Sequence, residues 1–264
     1  MSFIQALVVI VVLTVLRVTI GSLFGGYYYT NVGSAIATIL TLGSTILISK
    51  GYFSRKNIQF FPTNTVNNKA IVLVVSTTFF LYLATTILGG FEELLREGAD
   101  GFFQSDFIFG WSNSMTRYFL DVLLVGPILE ELFFNGILLQ GFLKKYNPVT
   151  SIILTTLFFT SFHLGVDDLA NWDFVVIDKV SIALSGAFTA WTMIKTSNIK
   201  FTIFLHFLWN LLSYLFPLLI NVFGIDLSIV SSFFIFSFAV FLISITMLTR
   251  NILRLRSDTI FHST

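Results

Sequence analysis

Glu130 and Glu131 stand side by side in Gly126-Pro127-Ile128-Leu129-Glu130-Glu131-Leu132-Phe133-Phe134-Asn135-Gly136, a run that is otherwise almost wholly apolar. An ionised carboxylate at bilayer depth costs roughly 2.5 kcal/mol or more even on lenient insertion scales, so two neighbours there point to a use for at least one. Two later apolar runs each hold a histidine, Phe159-Thr160-Ser161-Phe162-His163 and His206-Phe207-Leu208-Trp209-Asn210. A glutamate and a histidine sharing one water can deprotonate it. His206 and Asn210, four residues apart on one helix face, can both donate to the oxyanion of an attacked amide. The chemistry this set allows is peptide-bond hydrolysis without a covalent nucleophile.

Successive helical residues point about 100° apart, so Glu130 and Glu131 cannot serve one cavity equally. One is the reagent, and the other needs a partner of its own. Pro127 removes a backbone donor and, with Gly126, bends the helix before the pair, while Gly136 is expected to end it. Phe159 lies one turn before His163 and is placed to pack under the imidazole. Each residue also has an ordinary reading: His163 or His206 as an interhelical hydrogen bond, Asn210 as glue between helices. Asp121, nine residues before Glu130 and so on nearly the opposite face, is read as structural. His262, in the basic tail, is read as inert.

With no cysteine in the chain, a thiolate nucleophile and a thiolate metal site are excluded. Glu130, His163 and His206 are the residues a zinc ion would use, but no His-Glu-x-x-His helix is present, so the expectation is no cofactor and no metal, with zinc as the less favoured alternative. Net charge is +1, which offers no basic surface for nucleic acid.

These residues need helices to position them. The 264 residues are 55% hydrophobic and 11% charged, with a mean hydropathy of +0.88, which predicts an all-α polytopic membrane protein with a polar catalytic cavity. Apolar runs predict about eight transmembrane helices, near 3–24, 32–49, 70–89, 117–134, 149–166, 177–195, 200–220 and 227–249. The first lacks a basic start and a small-residue cleavage site, so it is read as a retained span. With that count Lys50, Arg55, Lys56, Lys69, Lys144, Lys145, Lys195, Lys200, Arg250, Arg254 and Arg256 share one side. Most acidic loop residues share the other, among them Glu92, Glu93, Glu97, Asp100, Asp106, Asp167 and Asp168. The positive-inside rule then places both termini in the cytoplasm of a multi-pass plasma membrane protein.

The loop at 90–116 holds a second acidic pair, Glu92-Glu93, beside Arg96, and is read as a solvated face. Trp111, Tyr118 and Tyr27 to Tyr29 read as interfacial aromatics. The chain is expected to be one integral membrane domain, 1–264, with a catalytic core at 115–215. One conflict of depth follows: His163 falls late in its span and His206 early in a span entered from the same side. An elbow inserted into the membrane at 137–147 is expected to reconcile them.

In order and type, Glu130-Glu131-Leu132-Phe133-Phe134-Asn135, Phe159 to His163 and His206 to Asn210 resemble the three motifs of the CPBP intramembrane proteases, the group that includes type II CAAX-processing enzymes and bacterial proteins linked to bacteriocin production and immunity. The resemblance spans about residues 115–215. It implies an intramembrane endopeptidase in which Glu130 and His163 activate water, His206 and Asn210 hold the oxyanion, and Glu131 is the supporting acid. The substrate it implies is a peptide precursor or membrane-associated protein presented from the lipid bilayer. The family pattern has arginine where this chain has Asn135, which can hydrogen-bond Glu131 but cannot neutralise it. The competing readings are a catalytically inactive scaffold or immunity protein of the same family and, less favoured, a proton-coupled transporter.

Overall fold

A computed structural model describes residues 2–24, 31–53, 61–66, 68, 71–72, 74–79, 81–82, 120–164 and 172–223, with 243 and 246. Within them the chain is helical, with one isolated bridge between Thr63 and Asn198. Six rods carry the fold. Rod α1 is Phe3–Phe24; α2 joins Asn31–Thr38, a wide π turn at Ile39–Gly43, and Ser44–Phe53. Rod α3 joins a π turn at Asp121–Val125, the helix Gly126–Phe133, a second π turn at Phe134–Leu138, and Leu139–Leu143. Then come α4 (Pro148–Phe162), α5 (Trp172–Thr196) and α6 (Ile199–Phe223).

Rod α3 is the axis. Rods α2, α4, α5 and α6 pack against it, α1 packs on α2 and α4, and α4 packs extensively on α5. Phe133, Phe134, Ile137 and Leu138 from its middle are fully buried with Leu13 of α1, Leu42 and Ile46 of α2, and Phe158 and Phe159 of α4. Farther along, Leu139 packs with Ile152 of α4, Ala190 and Met193 of α5, and Ile199 of α6.

Among the described residues two helices are long and apolar enough to cross a membrane, Phe3–Leu23 and Asp121–Leu143; Val32–Ile48, Pro148–Phe162 and Ile199–Leu212 are shorter apolar helices. They differ in what surrounds them. Rod α1 turns Ala6, Ile10 and Leu13 inward and leaves Ile4, Val8, Val11, Val15, Val18 and Leu23 exposed, a pattern suited to lipid on its outer face. Rod α3 is enclosed.

Local signals explain the breaks. Asn147 caps α4 by accepting from the Thr150 N–H, and Pro148 occupies the first turn where no donor is needed. Asn198 accepts from the Phe201 N–H to start α6, after Ser197 turns the chain at a φ of 46°. Pro62 and Asn64 lace onto this turn, with Ile199 N–H donating to Pro62 O and Asn64 N–H donating to Ser197 O.

The expected end at Gly136 is not found. Gly136 lies inside the π turn Phe134–Leu138, and the helix continues to Leu143 because Leu139 N–H takes up Phe134 O across the wider turn. Helix therefore occupies most of the expected elbow at 137–147, leaving only a short turn before Pro148. The two histidines meet without an elbow, because α4 starts lower than α6. Ile152 and Ile199 lie in the same buried cluster around Leu139, and counted from it His163 stands eleven residues on and His206 seven. That is an offset of about 6 Å along ideal helices, which side chains and tilt absorb.

The expected span at 227–249, most of that at 70–89, the loop at 90–116, Tyr27 to Tyr29 and His262 fall outside the described residues, apart from 71–72, 74–79, 81–82, 243 and 246.

Candidate active site

Glu130 sits one turn after Pro127 on α3, at the level where the ends of α4 and the middle of α6 come together. His163 follows the last residue of α4, and its Nε2 lies 3.6 Å from Glu130 Oε2. His206 on α6 brings its Nε2 to 3.8 Å from the same oxygen. The far nitrogens are both occupied. His163 Nδ1 lies 2.8 Å from Phe159 O, and because a carbonyl only accepts, that nitrogen carries the proton. His206 Nδ1 lies 3.0 Å from Glu131 Oε1.

With Nδ1 protonated in each ring, both Nε2 lone pairs and a carboxylate oxygen converge. Three acceptors so placed repel one another unless a proton lies among them, carried by an imidazolium or by a water donating two hydrogens. The separations of 3.6 and 3.8 Å exceed a direct hydrogen bond and suit a bridging water. Access is graded. The side chain of His163 is 27% exposed, Glu130 15%, His206 11% and Glu131 1%.

Glu131 has the partner its burial requires. Oε1 meets His206 Nδ1, and Oε2 accepts from Asn135 Nδ2 at 2.6 Å. The same amide nitrogen donates its other hydrogen to Thr189 Oγ1 at 3.2 Å, and Thr189 passes its own to Gly186 O. Asn135 therefore uses the helical spacing to reach Glu131, supplying a neutral donor. Its Oδ1 is buried with no hydrogen-bond partner.

Phe159 organises the imidazoles. Its ring lies 4.6 Å from that of His163 and 5.9 Å, edge-on, from that of His206. Gly186 on α5 makes room for it, since a Cβ at Gly186 would stand 2.8 Å from Phe159 Cδ1.

Pro127 explains where Asn210 goes. Gly126 N–H reaches back five residues to Asp121 O, setting the wide π register, and in that register the missing N–H of Pro127 orphans Val122 O. Asn210 Nδ2 donates to this oxygen at 2.7 Å, tying α6 to α3 one turn beyond His206. Asp121 accepts from Thr38 Oγ1 of α2 at 3.1 Å, away from the glutamate pair.

The structure thus brings Glu130, Glu131, His163 and His206 into one cluster and sets Asn210 on the backbone of the same rod. Thr189 and Gly186 went unnoticed in the sequence because neither has a motif or a periodic signal. A small cavity beside the cluster, with room for about one water, is lined by Glu131, His206, Phe159, Thr189, Thr78 and Trp209 among others. Among the described residues no group of three or more His, Cys, Asp or Glu side chains is arranged to hold a metal ion.

A helical bundle built of apolar rods around a buried Glu-Glu-His-His cluster is the architecture of a helical membrane protein with a polar centre. Residues 111–212 match the family model of the type II CAAX prenyl endopeptidases, described as Rce1-like, and this stretch is therefore similar to the CPBP/CAAX proteases. No curated protein and no solved structure matches the chain.

Proposed function

We propose that the protein is an intramembrane endopeptidase that hydrolyses a peptide bond with a water activated between Glu130 and His163. The observation that carries this reading is the convergence of Glu130 Oε2 with the Nε2 atoms of two histidines at 3.6 and 3.8 Å. The water oxygen attacks the scissile carbonyl carbon as its proton passes to Glu130. The resulting oxyanion is held by His206, whose charge Glu131 supports, and the proton on Glu130 is delivered to the leaving amide nitrogen as the C–N bond breaks. Asn210 keeps α6 seated on Val122 O and retains a second amide hydrogen for the oxyanion. The chemistry needs no cofactor.

The substrate class is a peptide precursor or a membrane-associated protein that enters from the bilayer. A multi-pass topology with both termini on the cytoplasmic side is supported by the gathering of basic residues at one end of the bundle. Phe61 packs where α3 gives way to α4 and α5 to α6, and Lys50 lies over its ring at 5.4 Å. Lys144, Lys145, Lys195 and Lys200 flank the same turns.

A non-catalytic scaffold of the same family is the second reading, favoured by Asn135 in place of a cationic partner for Glu131. One experiment separates them. Full-length protein in liposomes is given a library of internally quenched peptides, with products read by mass spectrometry. Cleavage by the native chain that is lost in Glu130→Ala and His206→Ala supports the endopeptidase; cleavage that persists in both ends the assignment.

A further inference from the structure

We infer that Arg17, fourteen residues into the apolar rod α1, is a positioning residue of the hydrolytic site: its cation fixes the end of α4 from which His163 projects. A cation at this depth, in a helix whose outward face is mostly apolar and whose Thr14, Thr19 and Ser22 hydroxyls bond their own backbone, is costly and needs a local reason. Two contacts supply one. Arg17 Nη1 donates to Phe162 O at 2.9 Å, and the guanidinium carbon stands 4.8 Å from the centre of the Phe162 ring.

Phe162 O is one of the terminal carbonyls of α4 that no helical N–H can reach. A guanidinium there satisfies the carbonyl and complements the negative end of the helix dipole. His163 is the next residue. Its backbone N–H closes onto Thr160 O, and its ring is held by Phe159 O, so the placement of Nε2 against Glu130 depends on this last turn staying formed. Rods α1 and α4 run side by side in the same direction: Phe3 N–H donates to Tyr146 Oη just ahead of α4, and Arg17 reaches Phe162 at its end.

This inference rests on the hydrolytic reading for its rate effect and on geometry alone for its effect on His163, and the two are measured separately. The chain has no cysteine, so Arg17→Cys creates a single labelling site. In liposomes, with the quenched-peptide library as substrate, Arg17→Met and Arg17→Cys lower kcat about tenfold or more, with KM within about twofold. Arg17→Lys, and Arg17→Cys after reaction with aminoethyl methanethiosulfonate, recover to within about threefold of the native rate. Arg17→Cys carrying the neutral methyl adduct does not.

In parallel, diethyl pyrocarbonate modification of His163, read at peptide level against His262, rises about tenfold in the neutral variants, the scale of losing one charge-assisted hydrogen bond. Native kcat and native His163 modification in the neutral variants overturn the inference, as does failure of the aminoethyl adduct to outperform the methyl adduct in the same folded protein. If the native chain cleaves nothing, the hydrolytic reading falls, and the modification rates still decide the role of Arg17.

Discussion

His206 Nδ1 lies 3.0 Å from Glu131 Oε1, so the imidazole that faces Glu130 on one side is gripped by a second, buried glutamate on the other. Two adjacent acids thereby do different work. Glu130 meets the Nε2 atoms of both histidines, while Glu131 orients one of those rings and has both of its oxygens satisfied. The arrangement is a hydrogen-bonded line from Gly186 through Thr189, Asn135 and Glu131 to His206, whose Nε2 faces the reagent carboxylate at 3.8 Å.

Because Glu131 accepts from His206 Nδ1 and supports the charge of the ring that holds the oxyanion, Glu131→Gln is expected to weaken that support and lower kcat by about 10²-fold or more while leaving the fold intact. Steady-state cleavage with a parallel melting curve checks this. Native kcat in a normally folded Glu131→Gln protein would show that the ring needs no such partner.

Asn135→Leu removes the donor to Glu131 Oε2 and leaves a buried carboxylate oxygen without a partner. A loss of stability of about 1 to 3 kcal/mol is expected, measured as a lowered denaturation midpoint in detergent. Asn135→Asp places a second carboxylate against the first and is expected to be worse than Asn135→Leu. Thr189→Val, which removes only the outer contact, is expected to cost less than either.

At Gly186 the change is steric. A methyl group there meets Phe159 Cδ1 at 2.8 Å, so Gly186→Ala pushes the ring that lies between the two imidazoles. The expected outcome is a fall in kcat of about tenfold or more, since a displacement of the order of 1 Å is enough to spoil alignment. Phe159→Leu in the Gly186→Ala background is expected to recover part of the loss by vacating the space. Wild-type kcat in Gly186→Ala alone would remove Phe159 from the positioning scheme.

The cap at Asn147 provides a control outside the site. Asn147→Ala deletes the bond from the Thr150 N–H and is expected to lower stability by about 1 kcal/mol without changing KM.

What the sequence disclosed and what it hid follow from the range of the signals. Glu130, His163 and His206 were legible because an ionisable group in an apolar run has few reasons to be there, and their convergence on α3, α4 and α6 agrees with that reading. The freed carbonyl expected from Pro127 is present at Val122, although its partner, Asn210, lies 88 residues away and no local pattern announced the pairing. Gly136 misled because a glycine near a bend reads as a helix end, whereas tertiary packing of Phe133, Phe134, Ile137 and Leu138 carries the rod through a π turn. Arg17 interrupts the first apolar run, but nothing in the sequence singled it out or pointed to Phe162. Thr189 and Gly186 gave no signal, since a threonine and a glycine in a helix are ordinary until a neighbour needs the hydroxyl or the space.

The most direct measurement is the single-turnover cleavage rate of Glu130→Gln, an isosteric change that keeps the side chain between His163 and His206 and removes only its basicity. A fall of about 10³-fold or more, within the range of lost general acid–base catalysis and with the fold and peptide binding unchanged, is the predicted result. Cleavage at the native rate by a correctly folded Glu130→Gln protein would contradict the assignment of Glu130 as the group that takes the proton from water.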